Sequence, residues 1–253
     1  MKKIGQIKTH ISTHKDPAFD LLLPLKGLTV VISGGTRGIG FEIAKRLAWE
    51  HCNIVILGKT TVEDPWLPGT LKSSSEELTA IGAKVMAIKC DIGNEEDIKE
   101  AVKQTIEKFG GIDILINNAS AIDISNTSSV STKKLDLMMR INQRGTFLIT
   151  KHFLPYLKLS HHAQILNLSP PINLNKIWFK NHVAYTLAKY SMSIYALGWA
   201  EEFRNIPISV NCLWPKTIIS TAAIKNNFGK ENIYQFSRKP SIVAEAAYYI
   251  LSC

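Results

Sequence analysis

The chain has 253 residues, of which 45% are hydrophobic, and a formal net charge of +9 at pH 7. This length and composition predict one large globular domain. No apolar run approaches the roughly 20 residues that a membrane helix needs, so no membrane span is expected. The opening stretch, MKKIGQIKTHISTHKD, has lysines but no apolar segment, which argues against a secretory signal and predicts a polar N-terminal extension over residues 1–26.

Neither the cysteines nor the lysines form a pattern that predicts a metal site or a nucleic-acid-binding site. Cys52, Cys90, Cys212 and Cys253 form no C-x-x-C pair and no zinc-finger spacing, so no metal site is expected. Reduced thiols fit a cytoplasmic compartment, with organellar targeting left open. The lysines are dispersed beside glutamates, as in EEDIKEAVKQTIEKFG, which predicts a solvated surface with some contribution from an anionic cofactor, and no nucleic-acid partner.

From Gly27 onward, short apolar runs alternate with segments of helical period. The runs predicted to be strands are 28–33, 53–57, 84–90, 112–117, 163–168 and 208–213. Nearly continuous apolar strands between helices are typical of a parallel sheet that is covered on both faces. The sequence therefore predicts an α/β fold, a Rossmann-type doubly wound parallel sheet, in a single domain over residues 27–253.

Three segments have the clearest helical patterns. In 94–110, Asn94 can cap the helix, acidic residues fill the first turn and Gly110 ends it. Segments 132–157 and 182–203 are more apolar than a one-sided helix needs, which indicates either deep burial or a subunit interface. We favour an interface and expect a homodimer or homotetramer. In 182–203, four residues extend the stripe that faces the sheet: Met192, Tyr195, Ala196 and Trp199.

The stretch SGGTRGIG directly follows the first strand and opens a helix. Its glycines permit a tight turn and let backbone N–H groups approach a pyrophosphate at the helix N-terminus. The strand–loop–helix setting makes this pattern specific for dinucleotide binding. The residues predicted to bind the cofactor here are Ser33, Gly34, Gly35, Thr36, Arg37, Gly38, Ile39 and Gly40.

The end of the second strand predicts which dinucleotide is bound. A carboxylate at this point would hold a ribose 2′-hydroxyl, but the strand ends in Gly58 and Lys59, and the first acids come later in a loop. Arg37 and Lys59 together suit a 2′-phosphate, although either could instead point to solvent. We therefore expect NADP rather than NAD.

In AYTLAKY, Tyr185 and Lys189 are four residues apart, which places them on one face of a helix. An unperturbed tyrosine has a pKa of about 10, too high for efficient proton transfer near neutral pH. A nearby ammonium group stabilises the phenolate and lowers that pKa. The pair predicts a general acid–base centre beside a nucleotide.

These motifs resemble those of the short-chain dehydrogenase/reductase family over residues 27–253. Further matches are Asp91 after the third strand, NNAS at 117–120, Asn142 in the next long helix and Pro215 after the sixth strand. The resemblance implies an oxidoreductase that interconverts a ketone and a secondary alcohol by hydride transfer. It also implies cofactor contacts by Asp91, Ile92, Asn118, Ala119, Pro215 and Thr217.

The resemblance also implies roles for the central residues. Tyr185 would act as general acid in reduction and as general base in oxidation, and Lys189 would lower its pKa and hold the nicotinamide ribose. Asn142 would hold a water that links Lys189 to solvent.

The family's catalytic serine is matched only in part, in ILNLSPP. Ser169 aligns with the first of two serines, and Pro170 stands where the working hydroxyl is expected. Proline has neither a hydroxyl nor an N–H to offer. Ser169 stays a catalytic candidate, because the longer loop that follows could bring it into place, but we favour a role at the strand end. Asn173 and Asn175 are alternative donors.

Two further departures concern the end of the chain. Where the family has Pro-Gly after the sixth strand, this chain has Pro215-Lys216. The carboxamide of the nicotinamide would then be bound by Thr217, Ser220 or Thr221. The chain ends at Cys253, in or just after a helix, so a six-stranded sheet with an exposed edge is expected, without the family's final edge strand.

Two functions are therefore predicted. The first is an NADP-dependent oxidoreductase acting on an apolar small-molecule carbonyl or alcohol, steroid-like or fatty-acyl-like, with residues 217–240 covering the site. The alternative is a weakly active or inactive nucleotide-binding or scaffolding protein of the same fold, suggested by Pro170, Lys216 and the absent strand.

Overall fold

The computed structural model describes residues 23–224 and 236–253, and its centre is one parallel sheet. The strand order is β3-β2-β1-β4-β5-β6, and all five strand pairs are parallel. This confirms the predicted doubly wound sheet. The strands are β1 Thr29–Ser33, β2 Asn53–Gly58, β3 Lys84–Lys89, β4 Ile114–Asn117, β5 Ala163–Asn167 and β6 Ile208–Cys212.

Helices connect consecutive strands and flank the sheet. They are α1 Gly38–Trp49, α2 Leu71–Ala80, α3 Glu95–Phe109, α4 Thr132–Met138, α5 Thr146–Leu157, α6 Val183–Glu202 and α7 Ser241–Leu251. Helix α3 begins and ends as predicted: the Asn94 side chain accepts from the Glu96 N–H at 3.0 Å, and Gly110 has a left-handed φ of 79°. The segment predicted as a helix over 132–157 is helical throughout, but its middle part, Met139–Gly145, is a π-helical turn between α4 and α5.

Two hydrophobic cores lie on the two faces of the sheet. Successive side chains of a strand point to opposite faces, so Val30 and Ile32 belong to one core and Val31 to the other. The first core is completed by α1 and α7, and the second by α3, α5 and α6. This two-sided burial explains why the strands are apolar at nearly every position.

The strand order reverses between β1 and β4, which lie side by side. In such sheets, ligands bind beyond the carboxyl ends of the strands at this reversal. The stretch SGGTRGIG, Ser33–Gly40, is called the glycine loop and follows β1, and the segment 117–121 follows β4. The topology therefore brings two of the predicted motifs together.

Strand β6 is the outer strand on one side of the sheet. Its Asn211 and Cys212 are exposed, and within the described residues no further strand pairs with it, in agreement with the predicted six strands. Beyond it, Ile219 forms an isolated bridge with Arg238. Residues 1–22 of the predicted extension and 225–235 of the predicted cover lie outside the described residues. Over the described ranges, no helix has the length and apolar character to cross a membrane.

Candidate active site

The glycine loop packs too tightly for side chains at its key positions. Gly34 and Gly38 have left-handed φ values of 68° and 58°. A Cβ atom on Gly40 would collide with the side-chain amide of Asn118 and with the carbonyl oxygen of Gly34. The loop can therefore bring its backbone close to a ligand only with glycine at these positions.

The segment that follows β4 holds the glycine loop in place. The Asn118 side-chain amide donates to the carbonyl oxygens of Ser33 and Gly34, each at 3.0 Å. The Ser33 hydroxyl in turn accepts the backbone N–H groups of Asn118 and Ala119, each at 3.1 Å. These four predicted cofactor residues form one hydrogen-bonded unit, although their side chains serve the loop itself.

Arg37 turns toward the long connection between β2 and α2. Its guanidinium donates to the carbonyl oxygens of Leu67 at 2.8 Å and Gly69 at 3.2 Å, and to the Thr60 hydroxyl. Partial burial lowers the pKa of Arg37, against the opposing effect of Asp64 and Glu63. Arg37 therefore fixes this connection beside the glycine loop.

Lys59, the second predicted cation, pairs with Asp91 at 3.3 Å. Asp91 also contacts Arg140 at 3.1 Å and accepts the Gly93 N–H at 2.9 Å. Burial opposes ionisation of Asp91, but the Gly93 bond and the two cations together lower its pKa. Both predicted cations make contacts in the structure, and the Lys59 side chain is also 56% exposed. Ile92, also predicted at the cofactor, is buried.

Tyr185 and Lys189 lie one turn apart on α6, as predicted, but burial dominates both. It raises the pKa of Tyr185 to about 12, with the Ser120 side chain opposing the shift. It lowers the pKa of Lys189 to about 7, with Cys212 opposing. The expected lowering of the Tyr185 pKa by Lys189 is therefore not found in this structure.

The Lys189 ammonium has no carboxylate partner within the described residues. It is 4% exposed and donates to the Leu168 carbonyl at 2.6 Å. The sulfur of Met192 lies 3.3 Å away, and the ring centroid of Trp214 lies 5.5 Å away. A group of this kind changes its proton affinity readily when a charged ligand arrives.

Asn142 occupies the π-helical turn and holds the segment 117–121 from the opposite side. Its Oδ1 accepts the Ala121 N–H at 2.7 Å, and its Nδ2 donates to the Ala121 carbonyl at 2.9 Å. Single π-turns inside helices are frequent at functional sites. Through these two hydrogen bonds, the Asn142 side chain fixes the backbone of Ala121.

Ser169 is buried and its hydroxyl is bonded to Cys212 on β6. It is 1% exposed, its hydroxyl donates to the Cys212 sulfur at 3.2 Å, and its N–H donates to the Leu213 carbonyl at 3.2 Å. The following carbonyl, of Pro170, accepts from Ser193 at 2.6 Å. The structure thus favours the interpretation of Ser169 as the end of its strand.

Asn173 and Asn175, the alternative donors, act as acceptors in contacts within or beside their own loop. The Asn173 carbonyl accepts the Tyr190 hydroxyl at 2.9 Å, and Asn175 caps the short helix Lys176–Trp178 by accepting the Ile177 N–H at 3.1 Å.

Sequence reasoning missed Ser120 as a catalytic candidate. Its hydroxyl donates to the Ala121 carbonyl at 3.3 Å, and it lies near enough to Tyr185 to oppose the rise in the pKa of that residue. It directly precedes Ala121, which Asn142 holds. The available signal was the serine in NNAS, which follows the two asparagines at the carboxyl end of β4. The contact itself depends on how α6 packs, which no local pattern reveals.

A buried amide network supports the floor of the site. The Asn117 amide nitrogen donates to the Thr150 hydroxyl at 3.1 Å and to the Asn167 side-chain oxygen at 2.8 Å. The Asn167 nitrogen donates to the Met192 carbonyl at 2.9 Å. The network joins β4, β5, α5 and α6.

The loop after β6 reaches the glycine loop. A Cβ atom on Gly38 would lie 3.5 Å from the Thr221 methyl group. Pro215 is half-buried and Thr217 is exposed, and Ser220 is fixed by donating its N–H to the Arg238 carbonyl at 2.8 Å. The loops that follow β1, β4 and β6 therefore surround one cleft.

A profile of the short chain dehydrogenase family matches residues 28–232. This chain belongs to the short-chain dehydrogenase family. The predicted family resemblance is thereby confirmed, together with the Rossmann-type fold.

Curated relatives include hydroxysteroid dehydrogenase-like protein 2 of Homo sapiens, 53% identical over 226 residues, and of Danio rerio, 51% identical over 226 residues. Each alignment covers 89% of this chain and 54% of the relative, so the chain spans about half the length of these relatives. A crystal structure of a short chain dehydrogenase from Mycobacterium thermoresistibile is 42% identical, with a TM-score of 0.84, and the match covers 90% of this chain and 81% of that one.

Proposed function

We propose that this family member is an NADP-preferring oxidoreductase that interconverts a ketone and a secondary alcohol on an apolar substrate. The observation that carries the proposal is the segment 117–121. Asn118 bonds the glycine loop, Ser120 interacts with Tyr185, and Ala121 is clamped by Asn142. A dinucleotide on the glycine loop would therefore lie next to the only tyrosine–lysine pair with the family spacing.

The proposed chemistry divides between the cofactor and the chain. NADP supplies or accepts the hydride when bound. Tyr185 gives its phenolic proton to the carbonyl oxygen in reduction and removes it in oxidation. Lys189, with a pKa of about 7, can be charged at the lower end of the neutral range and favours the phenolate when it is.

We assign the second hydroxyl of the site to Ser120 rather than Ser169. A carbonyl oxygen that accepts two hydroxyl donors is better polarised than one that accepts a single donor. Ser120 is exposed and interacts with Tyr185, whereas Ser169 is buried against Cys212. This assignment supplies the donor that Pro170 cannot provide.

The NADP preference rests on the end of β2. Gly58 and Lys59 occupy the position where an acid would bind a 2′-hydroxyl and repel a 2′-phosphate. Lys59 is 56% exposed at its side chain and pairs with Asp91 alone, so it can turn to a phosphate. Arg37 would contribute mainly by fixing the neighbouring connection.

The proposal is tested by fluorescence titration with NADPH and NADH, followed by turnover on a panel of apolar ketones. We expect NADPH to bind at least tenfold more tightly than NADH, and Lys59→Glu to remove that preference. Lys103→Glu, on the exposed face of α3, is the matched charge control. Equal binding of both nucleotides would contradict the NADP assignment while leaving the oxidoreductase proposal intact.

The non-catalytic alternative is favoured by the position of Ser169 and by the raised pKa of Tyr185. It predicts tight nucleotide binding with no hydride transfer to any carbonyl in the panel. Turnover of one ketone that depends on Tyr185 would exclude it.

We further propose that α6 forms a homodimer interface. Its inner residues Met192, Ala196 and Trp199 are buried as predicted, and Tyr195 stacks on Trp199 with 5.3 Å between ring centroids. The outer face bears a second apolar stripe: Leu187 is 57%, Ile194 52% and Leu197 64% exposed. Leu197→Asp should convert a dimer to a monomer in light scattering, and an unchanged mass would contradict this interface.

A further inference from the structure

The formal charge is divided very unevenly along the chain. Residues 1–136 contain seventeen basic and seventeen acidic residues. Residues 137–253 contain thirteen basic residues and only four acidic ones, which is the entire net charge of +9. The even mixing of lysines with glutamates predicted for the whole surface therefore holds only for the first part. Such asymmetry indicates a partner with an anionic surface.

One loop in the basic part exposes apolar side chains without cover. Every residue of Pro171–Trp178, the stretch PINLNKIW, is exposed. Ile172 is 44%, Leu174 78%, Ile177 65% and Trp178 55% exposed. We call Ile172–Lys180 the apolar loop. Single exposed apolar residues are ordinary, but four within seven positions on one loop mark an interaction site.

The apolar loop is held in shape by the protein's own contacts. Tyr190 bonds the Asn173 carbonyl at 2.9 Å and packs against Phe179, with 5.2 Å between ring centroids. The Thr186 hydroxyl bonds the Trp178 carbonyl at 3.1 Å. On the loop side, these contacts involve only backbone carbonyls and the ring of Phe179, and none of the four apolar side chains. The four apolar side chains are thus presented outward from a fixed backbone.

Cations accompany these apolar groups. Lys176 and Lys180 lie within the apolar loop, and Lys216 lies in the loop after β6; none of the three forms an ion pair within the described residues. Trp214 is 41% and Ile218 42% exposed beside Lys216. No aspartate or glutamate occurs between Asp136 and Glu201, so the apolar loop carries no acid that would repel an anionic surface.

We propose that the apolar loop docks the protein on the surface of an anionic phospholipid bilayer. Tryptophan and aliphatic side chains would enter the boundary between headgroups and acyl chains, while Lys176 and Lys180 would contact the phosphates. The enzyme would lie on the membrane without crossing it. The loop adjoins the start of α6, where Tyr185 lies, so docking would bring the candidate active site to a source of apolar molecules.

A bilayer fits these residues better than a nucleic acid does. Nucleic-acid grooves combine many cations with aromatic rings that stack on bases. The apolar loop exposes three aliphatic side chains with one tryptophan and only two lysines. Aliphatic side chains gain from contact with acyl chains, and they gain little from contact with bases or phosphates.

The proposal is tested by sedimentation with two kinds of vesicle, one of phosphatidylcholine alone and one that also contains about 30–40% phosphatidylglycerol. Anionic lipid at this level attracts basic protein segments. We expect binding to the anionic vesicles that weakens as salt rises. The double substitution Lys176→Gln with Lys180→Gln should lower the partition coefficient at least tenfold, because each lysine contributes a factor of about five. Trp178→Ala should weaken it about tenfold, because tryptophan anchors at the interface.

Matched variants come from the evenly charged part of the chain. Lys72→Gln with Lys103→Gln removes two exposed lysines of surface i,i+4 pairs, and Trp49→Ala removes a tryptophan that is 62% exposed at the end of α1. Both should leave vesicle binding within about twofold of the parent, since neither lies on the proposed surface.

Three results would overturn the proposal. They are no binding to anionic vesicles, equal binding to neutral vesicles, or equal losses in the loop variants and their matched controls. Monomeric dihexanoyl-phosphatidylglycerol serves as a competitor, because displacement by single lipids would indicate a lipid-binding pocket instead of a bilayer surface. NADPH titration of each variant separates this test from the proposed function, since cofactor binding should be unchanged.

Discussion

The two sides of the cleft are built in different ways. On the side of the glycine loop, the backbone is held closely: the Asn118 side chain donates to two backbone carbonyls of the loop, and Gly40 leaves no space for a side chain. On the side of α6, Lys189 is buried and Tyr185 is half-buried, and both have few polar partners. Lys189 donates to a backbone carbonyl and meets no carboxylate in the described ranges 23–224 and 236–253, and burial dominates the pKa of Tyr185.

This difference separates binding from chemistry. A nucleotide site made of backbone groups is preorganised, because its geometry follows from the packing of strand and helix. The proton-transfer side depends on the electrostatic surroundings of two side chains, which a bound charge can change strongly. Four experiments test this contrast.

Tyr185→Phe should have the largest effect on activity, and it should affect proton transfer on the α6 side without affecting nucleotide binding. Removing the proton donor should lower kcat/KM for a ketone by about 10²- to 10⁴-fold. The NADPH dissociation constant should change by less than about twofold, because the ring is kept. Steady-state kinetics and fluorescence titration check both statements, and retained turnover would contradict the assigned chemistry.

Gly40→Ala should damage the opposite side. The new methyl group would collide with Asn118 and Gly34, so the free energy of unfolding should fall by about 1–3 kcal/mol. NADPH binding should weaken in parallel, as measured by titration below the unfolding transition.

Gly111→Ala is the control for Gly40→Ala, because a Cβ atom there would meet no atom within 4 Å. Equal effects of the two substitutions would mean that the close packing around Gly40 has no special importance.

Ser120→Ala and Ser169→Ala should differ. Loss of the Ser120 hydroxyl should lower kcat/KM up to about tenfold, the value of one neutral hydrogen bond, whereas Ser169→Ala should leave it within about twofold. Tyr185 should also titrate at higher pH in the Ser120 variant, since Ser120 opposes the upward shift of its pKa. The reverse order of activities would restore Ser169 as the catalytic serine.

Lys189→Met should change how the free energy of unfolding depends on pH. The pKa of Lys189 is about 7 in the folded protein and 10.5 in its reference state. Between these values the unfolded chain binds the extra proton, so stability rises with pH across this window. The parent should gain at most about 1.4 kcal/mol per pH unit relative to the variant between pH 7 and 10. Urea unfolding at four pH values measures this, and identical slopes would contradict the low pKa.

Much of the fold follows from local patterns. The inner strands β1, β2, β4 and β5 are buried on both faces and need apolar residues at nearly every position, which made them predictable. The outer strands β3 and β6 are partly exposed, and their short β-branched runs between helical segments were the signal. Asn94 and Gly110 marked the ends of α3. The glycine loop was predictable for the same reason, because its conformation requires glycine.

The parts that could not be predicted depend on contacts between distant segments. Arg37 contacts Leu67, thirty residues away, and that contact follows from the path of a long connection. The π-helical turn around Asn142 interrupts a sequence with ordinary helical character. The direction of Ser169 is set by Cys212 on another strand. In each case packing chooses among conformations that the local sequence leaves equally open.

The amide network below the cleft has an evolutionary consequence. The Asn117 amide nitrogen finds both of its acceptors in Thr150 and Asn167, where water does not reach, while the Asn117 side-chain oxygen has no hydrogen-bond partner within the described residues. Replacing any one of them would leave a buried donor or acceptor without its partner, at about 1–3 kcal/mol, so the benefit of each residue depends on the other two. Such epistasis makes single steps unfavourable at these positions. Descendants of this chain should keep the trio intact or exchange it as a set, while the exposed loops around the cleft diversify one residue at a time.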